Sequence, residues 1–491
     1  MKEEKARYIT TTLPYVNAEP HVGFALETIQ ADTLARYWRL LGYDVFFNTG
    51  TDEHGQKIAQ KADEEEIDRQ AYVDHYADSF DRLKQALNLS YDKFIRTTDA
   101  EHQAAAQAIW QRCAERGDIY KKKYSGQYCV GCEVFYNESE LEPGNICPIH
   151  QKPTELVEEE NYFFRLSRYQ ADLAEYLSDP ARTLPDWQRE WALAFVERGL
   201  EDVSISRDRS RMDWGVPVPD DDEHVMYVWF DALTNYISTL GWPSFAKASE
   251  DKPSSAEASL SEDVFQKYWV EGETLQMAGK DQVRFQSIIW QAMLLSAELP
   301  QTDRIVYHGF INSGGQKMSK SLGNVISPYE MVQRYGTDAT RYILLRHVHP
   351  TDDSDLTWEK MDEYYTANLV NGLGNVVSRV MKMAETHLEP EEFAPLDPTT
   401  LDAPDMLNFQ QAMDHIWTLI QHVDERITET EPFKLVKTDP EAAKTILREL
   451  RSDVLYIGRL LLPAMPETSA TTRQSVRANT KPDNLFKRLE T

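Results

Sequence analysis

Cysteine is scarce in this chain. There are four in 491 residues, and three of them, Cys129, Cys132 and Cys147, fall in one stretch. So few thiols build no disulfide framework, and their clustering points to metal chemistry in a reducing compartment. No apolar run approaches the ~20 residues that a bilayer-spanning helix needs. The opening Met1-Lys2-Glu3-Glu4-Lys5 lacks the apolar core of a signal peptide. A cytoplasmic protein with no membrane partner is therefore expected. No G-x-x-x-x-G-K-[ST] sequence occurs, which excludes a P-loop ATPase by motif. Basic residues are outnumbered, 52 against 81 acidic ones, for a net charge of −29. Taken alone, that balance argues against a nucleic-acid binder. Binding depends on local patches rather than the total, and a large acidic surface also serves solubility.

The 41% hydrophobic and 11% aromatic content is ordinary for a soluble globular enzyme. The length implies about three or four domains. Arg7 to Thr12 reads as a buried strand, and Pro14 and Pro20 bracket the turn after it. From His21 to Leu41 apolar residues recur at helical spacing, and Gly42 ends the run. Strand, tight turn and helix N-terminus make an anion site without a Walker loop. Val45 to Thr49 is a second strand, followed by Gly50-Thr51-Asp52-Glu53-His54-Gly55. Ligands of open parallel sheets bind beyond the carboxyl ends of the strands, where Asp52 and His54 lie. Thr98-Asp99-Ala100-Glu101 resembles a capping box opening a helix that ends near Gly117. Val225 to Phe230 and Thr274 to Ala278 read as further buried strands. Residues 246–263 have the composition of a flexible insertion. From about Met361 onward strands disappear, and helical patterns over 361–387, 404–429 and 440–461 imply an all-α bundle.

Two stretches carry chemistry. Cys129, Cys132, Cys147 and His150 give C-x2-C-x14-C-x2-H, a spacing that closes a tetrahedral thiolate/imidazole zinc site. Four ligands leave no open position, so the zinc is expected to be structural, one per chain. The other is Lys317-Met318-Ser319-Lys320-Ser321, which follows a strand-like run, Ile305 to Ile311, and an Asn312-Ser313-Gly314-Gly315 turn. Two lysines among small hydroxyl residues on a glycine-tethered loop suit a mobile phosphate clamp, because transition states at phosphorus are stabilised by placed positive charge. A solvated basic turn is the plain alternative.

Together with Leu13-Pro14-Tyr15-Val16-Asn17-Ala18-Glu19-Pro20-His21-Val22-Gly23-Phe24, the lysine loop resembles the signature pair of class I aminoacyl-tRNA synthetases. The surrounding detail resembles the methionyl branch of that family, over nearly the whole chain. The resemblance implies an α/β Rossmann-type parallel-sheet catalytic domain, split into 1–118 and 222–316. Between the halves, a connective insertion at 119–221 would carry the zinc knuckle. The lysine loop and a stem-contact segment would span 317–360. An α-helical anticodon-binding domain with a C-terminal tail would occupy 361–491. The implied activity is ATP-dependent ligation of L-methionine to methionine tRNA, initiator and elongator, through a methionyl-adenylate, with Mg2+ accompanying ATP. His21, Lys317 and Lys320 would be catalytic, and Gly23, Ser319 and Ser321 would join them around ATP. Leu13, Tyr15, Asp52, Trp229, Ala232, Tyr236 and Gln286 would surround methionine, with Asp52 holding its amino group. Asn375, Arg379 and Phe433 would read the anticodon. The extra C-terminal dimerisation module of some relatives is not seen, which suggests a monomer.

The chain departs from the pattern in three places. Phe24 stands where a second histidine is usual. Gln286 and Gln282 replace a histidine and an aliphatic residue beside the methionine pocket, and Phe433 replaces a tryptophan. A non-catalytic paralogue that binds tRNA or methionine, and a related class I synthetase for another aliphatic amino acid or cysteine, are the competing readings. Protonating His21 at a helix N-terminus would oppose the helix dipole, so a neutral, hydrogen-bond-donating imidazole is expected there.

Overall fold

The computed structural model describes residues 5–129, 134–136, 140–149, 151–243, 263–318, 323–394 and 407–489. Contacts divide the chain into two compact units. One comprises Met1–Glu19, Val45–Arg82 and Tyr91–Tyr307; the other comprises Pro20–Asp44, Leu83–Ser90 and His308–Thr491.

The first unit is built on a six-stranded sheet. In chain order its strands are β1 (Ala6–Thr11), β2 (Asp44–Thr51), β3 (Lys93–Arg96), β4 (Thr183–Leu184), β5 (Glu273–Gly279) and β6 (Arg304–His308). Their order across the sheet is β3-β2-β1-β5-β6-β4. The pairs β1/β5, β2/β3 and β6/β4 are parallel, with Ile9 opposite Leu275 and Gly50 opposite Ile95. Tyr8, Ile9, Thr10 and Thr11 are fully buried, as expected of a parallel strand covered on both faces. The strand order reverses between β1 and β5. Such a switch point opens a crevice at the carboxyl ends of the strands, and Leu13, Tyr15 and Lys280 follow there in sequence.

Two expectations need correction. Val225 to Phe230 is not one strand: Asp221–Met226 is a strand of a small separate sheet, and Val228–Ala232 is a short helix carrying Trp229. The helix Ala100–Glu115 forms where expected, but Asp99 does not cap it through its side chain. Its carboxylate instead accepts the N–H of Arg96 at 3.0 Å, and Thr98 Oγ1 donates to Glu53 at 2.5 Å. Asp99 thus serves a residue three positions back and Thr98 a distant one, and neither side chain makes the cap.

Between β3 and β5 a long antiparallel ribbon pairs Ile119–Cys129 with Glu155–Phe164, from Ile119 opposite Phe164 to Tyr128 opposite Glu155. Lys123 lies across from Glu160, so opposite charges face each other over an exposed rung. Val134–Tyr136 adds a short strand at the distal end, and Val203–Ser204 pairs at the proximal end.

The second unit contains helix α1 (Val22–Leu40), buried around most of its circumference. After a short hairpin its remaining elements are almost all helical. Helices span Pro328–Tyr335, Thr337–Arg346, Trp358–Tyr364, Asn375–His387, Phe409–Thr430, Pro440–Leu460 and Pro466–Ala478. Buried residues at i, i+3, i+4 and i+7, such as Leu447, Leu450, Arg451 and Val454, give each long helix one inward stripe. Arg451 belongs to that stripe because its guanidinium donates to the Glu389 carbonyl and to Asn479 at 3.0 and 2.9 Å. Tyr365 to Gly374 winds as a wider, π-type helix directly before Asn375. The tail is held by Tyr365, whose hydroxyl donates to the Lys487 carbonyl at 2.8 Å. Among the described residues, no helix is long and apolar enough to cross a membrane.

Candidate active site

In the first unit the strand-end residues gather around Asp52. The Asp52 N–H donates to the Pro14 carbonyl at 2.9 Å, and the Val16 N–H donates to the Asp52 carbonyl at 3.1 Å. Tyr15 and Asp52 thus form a parallel bridge just beyond β1 and β2. Asp52 is 4% exposed. The residue after it is equally constrained. Glu53 is completely buried, and its carboxylate accepts two N–H groups of Arg96, at 2.7 and 2.8 Å, and the Thr51 hydroxyl at 2.6 Å. A fork matched to two carboxylate oxygens is the strongest neutralising contact a buried acid can find. Trp214 closes the turn, its indole N–H donating to the Glu53 carbonyl at 2.7 Å and its own carbonyl accepting from Gly55 at 3.0 Å.

Of the residues expected around methionine, Trp229, Ala232, Tyr236 and Gln286 stand on three short helical segments. Trp229 is half-buried and stacks on Phe285, with ring centroids 3.8 Å apart. Ala232 and Tyr236 are buried, and Gln286 Nε2 donates to the Tyr236 hydroxyl at 2.5 Å. Leu13 is half-buried in the stretch that follows β1. Gln286 lies in a π-helical turn, Phe285–Ile289, where the Trp290 N–H reaches back five residues to the Phe285 carbonyl. Such turns are concentrated at functional sites. The apolar spacing of this segment reads as an ordinary helix, so the wider turn could not be foreseen. Gln282 hydrogen-bonds its neighbour Asp281 at 3.1 Å.

The second unit holds His21. It is the N-cap of α1, with Nδ1 accepting the Gly23 N–H at 3.0 Å. An accepting Nδ1 leaves the proton on Nε2, the donor form that the helix terminus favours. His21 is exposed, and its pKa is lowered, first by partial loss of hydration and then by the charges of His308 and Lys317. Gly23 is required here: a Cβ would lie 2.8 Å from His21 Cε1. Phe24 follows, half-buried. His308 donates Nδ1–H to the Gly309 carbonyl at 2.8 Å and faces the Glu27 carboxylate through Nε2 at 2.9 Å.

Lys317 ends a two-residue hairpin in which Asn312 pairs with Lys317 and Ser313 with Gln316. Gly314 and Gly315 both have positive φ, 64° and 74°, which is the primed turn that such hairpins demand. The Gly315 N–H is anchored to Asp355 at 2.7 Å. Lys317 Nζ stands 5.2 Å from the Phe310 ring centre. Ser319, Lys320 and Ser321 lie outside the described residues.

Of the expected zinc ligands, Cys129 and Cys147 are buried in one small cluster with Tyr136 and Leu141. Cys147 Sγ is 4.0 Å from the Tyr136 hydroxyl. The chain doubles back around Cys147, whose N–H donates to the Lys152 carbonyl and whose carbonyl accepts from Gln151, both at 2.9 Å. Cys132 and His150 lie outside the described residues. Asn375 is exposed at the start of its helix; Arg379, one turn on, pairs with Asp424 at 2.5 Å. Phe433 is 46% exposed, beside a left-handed Glu431 that begins the next helical turn.

A parallel sheet with its polar residues at the switch point, and a histidine-capped helix and lysine hairpin in the same chain, define a class of nucleotide-using enzymes. The chain belongs to the class I tRNA synthetases of the (M) type, whose family pattern matches residues 7–152 and 140–381. Its relatives are methionine–tRNA ligases. That of Thermotoga maritima is 39% identical over 97% of this chain and 76% of its own length. That of a Nostoc species is 40% identical over 97% of this chain and 90% of its own. Among solved structures, Mycobacterium tuberculosis methionyl-tRNA synthetase bound by methionyl-adenylate aligns with a TM-score of 0.85 and 35% identity, covering 99% of both chains.

Proposed function

We propose that this chain is an ATP-dependent methionine–tRNA ligase. It forms methionyl-adenylate and pyrophosphate, then transfers the methionyl group to the 3′ end of methionine tRNA and releases AMP. The observation that carries the reading is the likeness, from end to end of the chain, to a synthetase structure bound by methionyl-adenylate, joined to a buried carboxylate held at the sheet's switch point.

Asp52 is the acceptor for the substrate ammonium; a carboxylate with 4% exposure gains most from a cationic partner. Leu13, Tyr15, Trp229, Ala232, Tyr236 and Gln286 receive the thioether chain, which is polarizable and suited to aromatic walls. The methionine carboxylate attacks the α-phosphorus in line, and pyrophosphate leaves. His21 donates from Nε2 to a phosphate oxygen. Lys317 and Lys320 neutralise the charge that builds on the triphosphate, Gly23, Ser319 and Ser321 line it, and Mg2+ enters with ATP. Since charge placement is the whole chemistry, no covalent enzyme intermediate is needed.

Cys129, Cys132, Cys147 and His150 would hold one structural zinc ion. The two described thiols fit that role, being buried and clustered. Asn375, Arg379 and Phe433 contact the anticodon, within a helical domain beginning near residue 361. The enzyme acts in the cytoplasm as a monomer.

The test is amino-acid-dependent ATP–pyrophosphate exchange over a panel of amino acids. Exchange with methionine alone is expected. Exchange with another amino acid assigns a different substrate through Gln282 and Gln286. No exchange from folded, zinc-loaded protein overturns the enzyme reading in favour of a binding-only paralogue.

A further inference from the structure

The carboxylate of Asp231 is completely buried in the first unit and receives one hydrogen bond on each oxygen. His54 Nδ1–H donates to Oδ2 at 2.7 Å, and His102 Nε2–H donates to Oδ1 at 2.8 Å. His102 is itself fully buried, with Nδ1 placed 2.9 Å from the Ser238 hydroxyl. Burial alone would raise the pKa of Asp231, but the two histidines outweigh it and the value is lowered, so the group is an anion. An anion with no solvent must be held by donors of set geometry.

The three residues come from three places. His54 sits two positions after Asp52, on the strand-end turn. Asp231 lies on the Val228–Ala232 helix, between Trp229 and Ala232. His102 is on the Ala100–Glu115 helix behind them. The His54–Asp231 bond therefore links the turn carrying the proposed ammonium acceptor to the helix carrying the proposed side-chain pocket. His102 holds Asp231 through its other oxygen.

We infer that Asp231 is a positioning residue: bridged by His54 and His102, it sets the spacing between Asp52 and the methionine-pocket helix and thereby governs amino-acid affinity. The inference rests on the methionine reading of the site. Asp231 touches no substrate in this scheme; it acts through His54. A carboxylate is needed because both bonds run toward it. An asparagine accepts at one oxygen and turns an N–H2 group toward the other histidine, where a donor already stands.

The experiment is steady-state ATP–pyrophosphate exchange by the full chain, with KM for methionine, KM for ATP and kcat measured separately. Asp231→Asn and His54→Ala are each expected to raise KM for methionine about tenfold or more, with KM for ATP changed less than about twofold. His54→Asn, whose amide offers an N–H where Nδ1 stood, is expected to recover most of the loss seen in His54→Ala. A merely structural role predicts otherwise: a common fall in kcat or in soluble protein, with no split between the two substrates and no rescue by Asn. That result, or wild-type constants in His54→Ala, overturns the inference. If Asp231→Asn does not fold, the His54→Ala and His54→Asn pair decides alone. Wild-type protein that fails to exchange with methionine removes the functional reading and this inference with it. Wild-type exchange with unaltered variants removes the inference only.

Discussion

The backbone N–H of Val22 donates to the carbonyl of Ile326 at 3.0 Å, and the N–H of Ile326 points at Met318 Sδ at 3.5 Å. The first N–H groups of a helix have no partner within it. Here the segment after the lysine loop supplies one at the very start of α1. Asn324 reinforces the arrangement, its side-chain amide reaching the Lys317 carbonyl at 3.3 Å. The two halves of the sequence signature, far apart along the chain, are referenced to one another through backbone and thioether contacts.

Gly23→Ala tests the His21 geometry. The added methyl would lie 2.8 Å from Cε1 and 3.0 Å from Nδ1, so the ring must leave its place. The expected result is a loss of exchange rate of about ten- to a hundredfold, with an unchanged melting temperature. Full activity would show that the imidazole does not act from this position.

The pH dependence follows from the lowered pKa of His21, caused by partial loss of hydration and then by the charges of His308 and Lys317. Just below the ordinary value of 6.5, the unfolded chain binds this proton and the folded chain does not. Stability from this group is therefore complete above that value and declines as pH falls through it. The exchange rate should stay level through the ordinary histidine range and drop only at more acid pH. His21→Asn, which cannot titrate, should remove that acid limb. Its persistence would assign the limb to another group.

Arg341 and Asp32 form a fully buried pair at 2.8 Å. Arg341 also donates to the carbonyls of Ala464, Pro463 and Leu87, at 2.7, 3.0 and 3.1 Å. Burial pushes the Asp32 carboxyl up, and Arg341, Arg36 and Ser90 pull it below its ordinary value. Arg341→Met should cost about 3–5 kcal/mol, because it removes one of the two guanidiniums facing a buried anion and the donor to three carbonyls. Urea unfolding measures this, and Arg341→Met/Asp32→Asn should recover part of it. A loss under about 1 kcal/mol would mean that water replaces the guanidinium.

Cys147→Ser should abolish zinc binding. Elemental analysis of purified protein is expected to find one zinc per wild-type chain and about none in the variant, with lower thermal stability. Stoichiometric zinc in the variant would exclude Cys147 as a ligand.

Phe433→Ala should raise KM for tRNA in aminoacylation and leave ATP–pyrophosphate exchange untouched. Stacking on one base accounts for about 1–3 kcal/mol. Phe433→Trp, with more stacking area, should lower that KM. An effect on exchange as well would place Phe433 in the folding of its domain rather than on the anticodon.

Some of this was present in the amino-acid order alone. The β-branched run at 7–12, the helical spacing at 21–41 and the long patterns near the C-terminus became β1, α1 and the bundle helices, because such elements follow from side-chain shape and periodicity over a few turns. The lysine and cysteine motifs rest on the sequence, since Ser319, Lys320, Ser321, Cys132 and His150 lie outside the described residues. Tertiary structure decided the rest. It made Val228–Ala232 a helix, widened the turn at Gln286, and drew Thr98 to Glu53 and away from the cap it could have formed. It also joined His54, Asp231 and His102, and seated Arg341 on Asp32. No local pattern announces such pairs. A buried charge must find its donors wherever the topology brings them, and only the packed chain determines which distant residues those are.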